Sequence, residues 1–233
     1  GLGQVLLGYA LSLLASVVAI NVLYATTSYK EWDELPMWGI SLVGLPQQLI
    51  LGLTVVFAAD AYGKSLKHDF LFLMERKDVT LGLMSGIAAQ LILVPLVTYP
   101  FVWLFSIDVD RISEPARNLS DRATSPLGII ALIVTVGILA PVVEELFFRG
   151  LLYGAFRKRN NSFTSEKAVI RFSIIISSAI FSAIHFQWLL FPALFVVGML
   201  FAWLYERKGR LAPAIWAHVG FNVTTLFSLL VID

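Results

Sequence analysis

Cysteine is absent from the chain. That excludes disulfides, thiolate nucleophiles and thiolate metal ligands, and it leaves the redox compartment unreadable. Charge is also scarce. Asp, Glu, Lys and Arg make up 14% of residues, against about 25% in an ordinary soluble domain. The net charge is +1, so there is no broad basic face and no nucleic-acid partner is expected. Strand-like alternation and internal repeats are missing too. No basic segment precedes the first apolar run, so no cleaved signal peptide is expected.

What is present is apolar. Hydrophobic residues are 58% of the 233, and the mean hydropathy is +0.81. This predicts an all-α, polytopic transmembrane bundle, because lipid offers unpaired backbone groups no partner. A span needs about 20 mostly apolar residues. Seven stretches qualify: 2–27, 37–59, 79–105, 127–156, 168–187, 189–205 and 211–231. Pro95, Pro100 and Pro141 are expected to kink their helices. With seven spans the loops alternate sides. One side then carries twelve Lys and Arg, the other four, and Arg149 completes the seventeen. The asymmetry places the N-terminus in the cytoplasm and the C-terminus outside. Six or eight spans would mix the sides. The stretch SIDVDRISEPARNLSDRATS after the third span is expected as an external loop. Trp32, Trp38, Trp188 and Trp216 sit near span ends and fit interfacial belts. His68 falls among Lys64, Lys67 and Asp69 and reads as a solvated loop residue.

Polar residues deep within the spans are few: Glu144, Glu145 and Arg149 in the fourth, His185 in the fifth, His218 and Asn222 in the seventh. Burying a charge at the bilayer centre costs about 2.5–3.5 kcal/mol on insertion scales, so such residues usually face a polar interior and serve function. Counted from the nearest basic ends at 1.5 Å per residue, the ionisable groups and Asn222 reach depths of roughly 12–21 Å. Three helices therefore bring polar side chains to a similar level. Glu145 and Arg149 are spaced i, i+4 with the acid first, which favours a pair. Glu144 is turned about 100° away, free to face another helix. Phe181 and His185 share a face, as do His218 and Asn222. Gly150 and Gly154 form a small-xxx-small pattern that admits a close neighbour.

A carboxylate and an imidazole around a wet cavity activate water, and a second His with an Asn supplies oxyanion donors. Two His and a carboxylate also match a catalytic zinc set, which here would be Glu144, His185 and His218. Spacing alone leaves both open. Non-enzymatic roles, as a membrane scaffold or immunity protein, are a second reading, and a small transporter or proton relay is a third.

EELFFR at 144–149, FSAIH at 181–185 and HVGFN at 218–222 fit EExxxR, FxxxH and HxxxN. In this order on successive membrane helices, the chain resembles the CPBP (Abi) family of intramembrane proteases, the type II CAAX endopeptidases. The resemblance covers roughly residues 127–231. It implies a helical bundle with an intramembrane polar cavity, in which 126–233 is the catalytic core and 1–125 an N-terminal three-span region with an external loop. It implies that Glu144 and His185 activate water, that His218 and Asn222 stabilise an oxyanion, and that Glu145 and Arg149 organise the site. The expected substrate is a membrane-bound or lipidated peptide or protein. A metal-free mechanism is favoured, since Asn is a poor zinc ligand and a good amide donor. HExxH, GxGD and GxSG are absent, which removes the usual rival membrane proteases.

Overall fold

The computed structural model describes residues 1–62, 65, 67, 73–159 and 165–232. His68 lies outside the described residues. The described chain is almost wholly helical, with no strand. In chain order the helices are α1 (Leu2–Thr26), α2 (Met37–Tyr62), α3 (Arg76–Phe105), α4 (Asp110–Ser120), α5 (Pro126–Lys158), α6 (Glu166–Ala183), α7 (Phe191–Lys208) and α8 (Ala212–Phe227). The last continues as a π-helical turn over Ser228–Ile232.

Among the described residues, α1, α2, α3, α5 and α8 are long and apolar enough to cross a membrane. Their outward faces are apolar: Leu7, Leu49, Leu96, Trp103 and Ile130 are all exposed. Water would not tolerate such a surface, whereas acyl chains solvate it. The protein is thus an integral, multi-pass membrane protein. α6 and α7 have 18 residues each, about 27 Å at 1.5 Å per residue, and charged residues occupy their basic ends.

The stretch after α3 differs from the external loop expected. Residues Asp110–Ser120 form a helix with a strongly amphipathic pattern. Its polar residues had read as loop because the apolar ones, Ile112, Ala116 and Leu119, recur at helical rather than span-like spacing. Leu119 packs with Met37, Ala123, Leu132 and Leu226. Nearby, Arg122 clamps the α1–α2 connection. Its guanidinium donates to the Trp32 carbonyl at 2.6 Å and to Asp33 at 2.9 Å, and its own carbonyl accepts from Met37 N at 3.2 Å.

The main core draws on both halves of the chain. Val5 of α1 and Leu51 and Val55 of α2 share it with Phe147, Phe148, Phe181, Phe201 and Ala217. α3 and α8 approach most closely. A Cβ on Gly86 would lie 2.0 Å from the Ala217 carbonyl oxygen, and one on Gly82 would lie 2.5 Å from Trp216 Cβ. Gly220 of α8 is also close-packed, and a Cβ there would lie 2.8 Å from the Leu83 carbonyl oxygen. The small-xxx-small contact therefore falls at Gly82 and Gly86. At Gly154 a Cβ would meet nothing within 4 Å, so the expectation for Gly150 and Gly154 is corrected there. At the far end of α8, Arg210 binds Asp78 of α3 through two bonds of 2.6 and 2.8 Å. Gly209 enables this turn by ending α7 in the left-handed conformation, φ 62°.

Candidate active site

The prolines of α3 and α5 act through backbone register. π-helical turns precede both Pro95 and Pro141, over Ala89–Leu93 and Ile133–Leu139. Proline has no N–H, so the carbonyls one turn before it lose their partner and the helix loosens. In the i→i+5 register the partner of the Val136 carbonyl would be Pro141. Asn222 of α8 takes that place, donating Nδ2–H to Val136 O at 2.8 Å. A second π-helical turn, Leu146–Tyr153, follows Glu145. Glu144 and Glu145 thus occupy a short α-helical piece, Ala140–Glu145, between two loosened turns.

Arg149 is buried, at 1% exposure, and Glu145 at 0%. The i, i+4 pairing between them is present: Arg149 donates to Glu145 Oε1 at 2.7 Å. It also donates to the Gly198 carbonyl of α7 at 3.1 Å, and its guanidinium lies 4.4 Å from the Phe181 ring centre. A buried charge is tolerable only when so paired and hydrogen-bonded.

Glu145 has a second partner that spacing did not reveal. His218 Nδ1 lies 2.9 Å from the same Oε1. A carboxylate bound to a guanidinium only accepts, so His218 donates from Nδ1. In neutral His218 the lone pair then sits on Nε2, which lies 3.9 Å from Glu144 Oε2. His185 is fixed in the same way. Its Nδ1 is 2.6 Å from the Phe181 carbonyl, an obligate acceptor, and its Nε2 lies 4.0 Å from Glu144 Oε2. Both imidazoles therefore present Nε2 to one carboxylate oxygen. The Glu144 and His185 side chains are 18% and 26% exposed, against 5% for His218, so the Glu144–His185 side is the open one.

Aromatic rings hold this geometry. Phe201 stacks on His218 at 5.0 Å, and Phe181 lies edge-on to both His185 and His218. His185 follows the last turn of α6, and Phe186 beside it has φ 54°. That conformation costs a bulky residue roughly 1–2 kcal/mol and is tolerated chiefly where the surroundings impose it. Ser182 fastens the far side of this turn, donating to Phe191 O at 2.7 Å. Phe201 and the Gly198 carbonyl are the site components missed by sequence reasoning; both belong to α7, which is apolar from Phe191 to Leu204 and carries no polar signal at that level.

The zinc alternative can be tested on these distances. Two ligands of a tetrahedral zinc with bonds of about 2.0–2.2 Å stand roughly 3.3–3.6 Å apart. The separations from Glu144 Oε2 are 3.9 and 4.0 Å. Among the described residues no group of three His, Asp or Glu side chains has metal-site spacing. Both separations are wider than a tetrahedral zinc sets between two of its ligands. They are also too long for a direct hydrogen bond and leave room for one water bridging Nε2 and the carboxylate. A cavity of about 730 Å³ between α1 and α2 is apolar and touches none of these residues.

The fold and site define a helical membrane protein with a paired carboxylate–imidazole centre held by a buried ion pair. Residues 126–224, which supply all six polar site residues, match the model of the Type II CAAX prenyl endopeptidase Rce1-like family. A Bacillus subtilis (strain 168) protein named as a membrane peptidase, YdiL, is 34% identical over 94 residues, 39% of this chain and 34% of that protein. The UPF0177 protein YxdF of Lactococcus lactis subsp. lactis (strain IL1403) is 29% identical over 90 residues, 38% of this chain and 44% of that protein. The match thus spans less than half the length of these curated relatives. No solved structure matches the chain.

Proposed function

We propose that the protein is an intramembrane endopeptidase that hydrolyses a peptide bond in a membrane-bound or lipidated peptide or protein. The observation that carries this reading is the convergence of His185 Nε2 and His218 Nε2 on Glu144 Oε2, at 4.0 and 3.9 Å. The family of residues 126–224 supports the same class of activity.

In this mechanism a water sits between Glu144 and His185. Glu144 takes one proton from it, and the oxygen forms a bond to the scissile carbonyl carbon. The carbonyl electron pair moves to oxygen. His218, as an imidazolium backed by Glu145, and the second amide N–H of Asn222 donate to that oxyanion. Collapse breaks the C–N bond, and Glu144 returns its proton to the leaving amine. With Arg149 and imidazolium opposite the two glutamates, the site is net neutral within the membrane. Glu145 and Arg149 act by holding His218 in register, and no metal is used.

The three-span region 1–125 and the catalytic core 126–233 together cross the membrane seven times, with α6 and α7 as the shortest crossings. The Lys and Arg asymmetry puts the N-terminus in the cytoplasm and the C-terminus outside. Glu144→Ala and His185→Ala are expected to abolish cleavage of a membrane substrate while the bundle stays folded. Full function in folded Glu144→Ala would favour the scaffold or immunity reading, and solute flux in liposomes the transporter reading.

A further inference from the structure

Hydrolysis consumes one water per turnover, and the centre lies among apolar helices. A cavity of about 150 Å³ lies between α2 and α5, beneath α4. Leu119 of α4 roofs it, and Met37, Ser41 and Gln48 line its α2 wall. On α5 it extends from Thr135 to Ala140. Ala140 stands one turn, about 6 Å, before Glu144. The cavity therefore runs from under the amphipathic helix to the edge of the catalytic turn.

Its polar groups are spaced along that line. Thr135 donates to the Ala131 carbonyl at 2.6 Å, so in its 3.2 Å contact with Ser41 it accepts. Ser41 Oγ then keeps acceptor capacity. Deeper in, Gln48 Oε1 is buried with no hydrogen-bond partner. An unsatisfied buried amide oxygen costs about 1–3 kcal/mol. A dry interhelical void would leave that penalty standing, while water removes it. At about 30 Å³ per molecule the volume holds on the order of five waters.

We infer that this cavity is a water-filled antechamber, with Ser41, Thr135 and Gln48 as steps, that feeds the Glu144 centre from the side on which α4 lies. The inference rests on the peptidase reading for its purpose, but the water itself is tested without activity.

The absence of cysteine permits a direct experiment. Gln48→Cys is compared with Leu49→Cys, whose side chain faces outward among lipid, in proteoliposomes treated with methanethiosulfonate ethylammonium. Gln48→Cys is expected to react at least tenfold faster. Equal or slower reaction of Gln48→Cys overturns the inference. If that variant fails to fold, hydroxyl radicals generated by X-rays in the unaltered protein decide. Met37, 1% exposed, is oxidised if water lies beside it and spared if the cavity is dry. Where a substrate is cleaved, Gln48→Met is expected to lower kcat about tenfold with KM unchanged. Labelling of Gln48→Cys without any cleavage would count against the peptidase reading and leave the water path standing.

Discussion

His218 donates its Nδ1 proton to Glu145 at 2.9 Å, and this one bond links the buried ion pair to the open face of the site. It fixes the imidazole tautomer, aims Nε2 at Glu144, and ties α8 to α5. The two adjacent glutamates therefore have separate tasks. Glu145 serves the interior with Arg149 and His218, and Glu144 is left as the carboxylate that activates water in the proposed mechanism.

This division predicts opposite phenotypes for neighbouring residues. Glu144→Gln keeps the size and place of the side chain but cannot take a proton. Cleavage is expected to fall by about 10²–10⁴-fold, with thermal unfolding in detergent shifted by no more than a few degrees. A large loss of stability in Glu144→Gln would assign it to the scaffold instead.

Breaking the interior pair acts on folding. Arg149→Met leaves Glu145 buried at 0% exposure with one partner fewer. A destabilisation of about 3–5 kcal/mol is expected, the scale seen when one partner of a buried pair is removed. Glu145→Gln combined with Arg149→Met is expected to recover part of it. Reversible unfolding in mixed micelles measures both.

Asn222 is tested by contrasting substitutions. Asn222→Asp keeps the shape but has no N–H for Val136 O, and sets a carboxylate against a carbonyl. It is expected to destabilise more than Asn222→Ala, by over about 1 kcal/mol, and both are expected to slow cleavage. Asn222→Ala as stable as the unaltered protein would show that the Val136 bond contributes nothing.

Helix approach gives a third class of outcome. Gly86→Leu drives a side chain into the Ala217 carbonyl, 2.0 Å from where its Cβ would begin. Separation of α3 from α8 displaces His218, so activity and thermal stability are expected to fall together. Gly154→Ala, with open space at its Cβ, is expected to change neither.

The metal-free mechanism predicts that extensive chelation leaves the rate unchanged and that purified active protein holds less than one zinc per ten chains. Loss of activity on chelation with recovery on added zinc would assign Glu144, His185 and His218 as ligands.

Much of this was legible in the sequence, because the bilayer penalises polar groups so heavily that their positions are informative. Each of the seven apolar stretches holds a helix, five of which are long and apolar enough to cross a membrane, and Glu145 paired with Arg149 as its spacing required. Partners across helices were less legible. Nothing in the order of residues said that His218 would take Glu145 while Phe201 covered its ring. The contact at Gly82 and Gly86 carries the same signal as Gly150 and Gly154, and only the packed neighbour separates them. The Asn222–Val136 bond depends on a π register that Pro141 creates, a consequence of missing backbone N–H rather than of side-chain pattern. Helix α4 escaped because its apolar residues are few and widely set.

The most direct test of the central claim compares protein termini in membranes of the native host carrying the unaltered protein or Glu144→Ala at equal expression. A new terminus that is present with the first and absent with the second is the predicted result, and it would identify a substrate. Identical termini, with the folded variant fully complementing a deletion, would contradict the peptidase account.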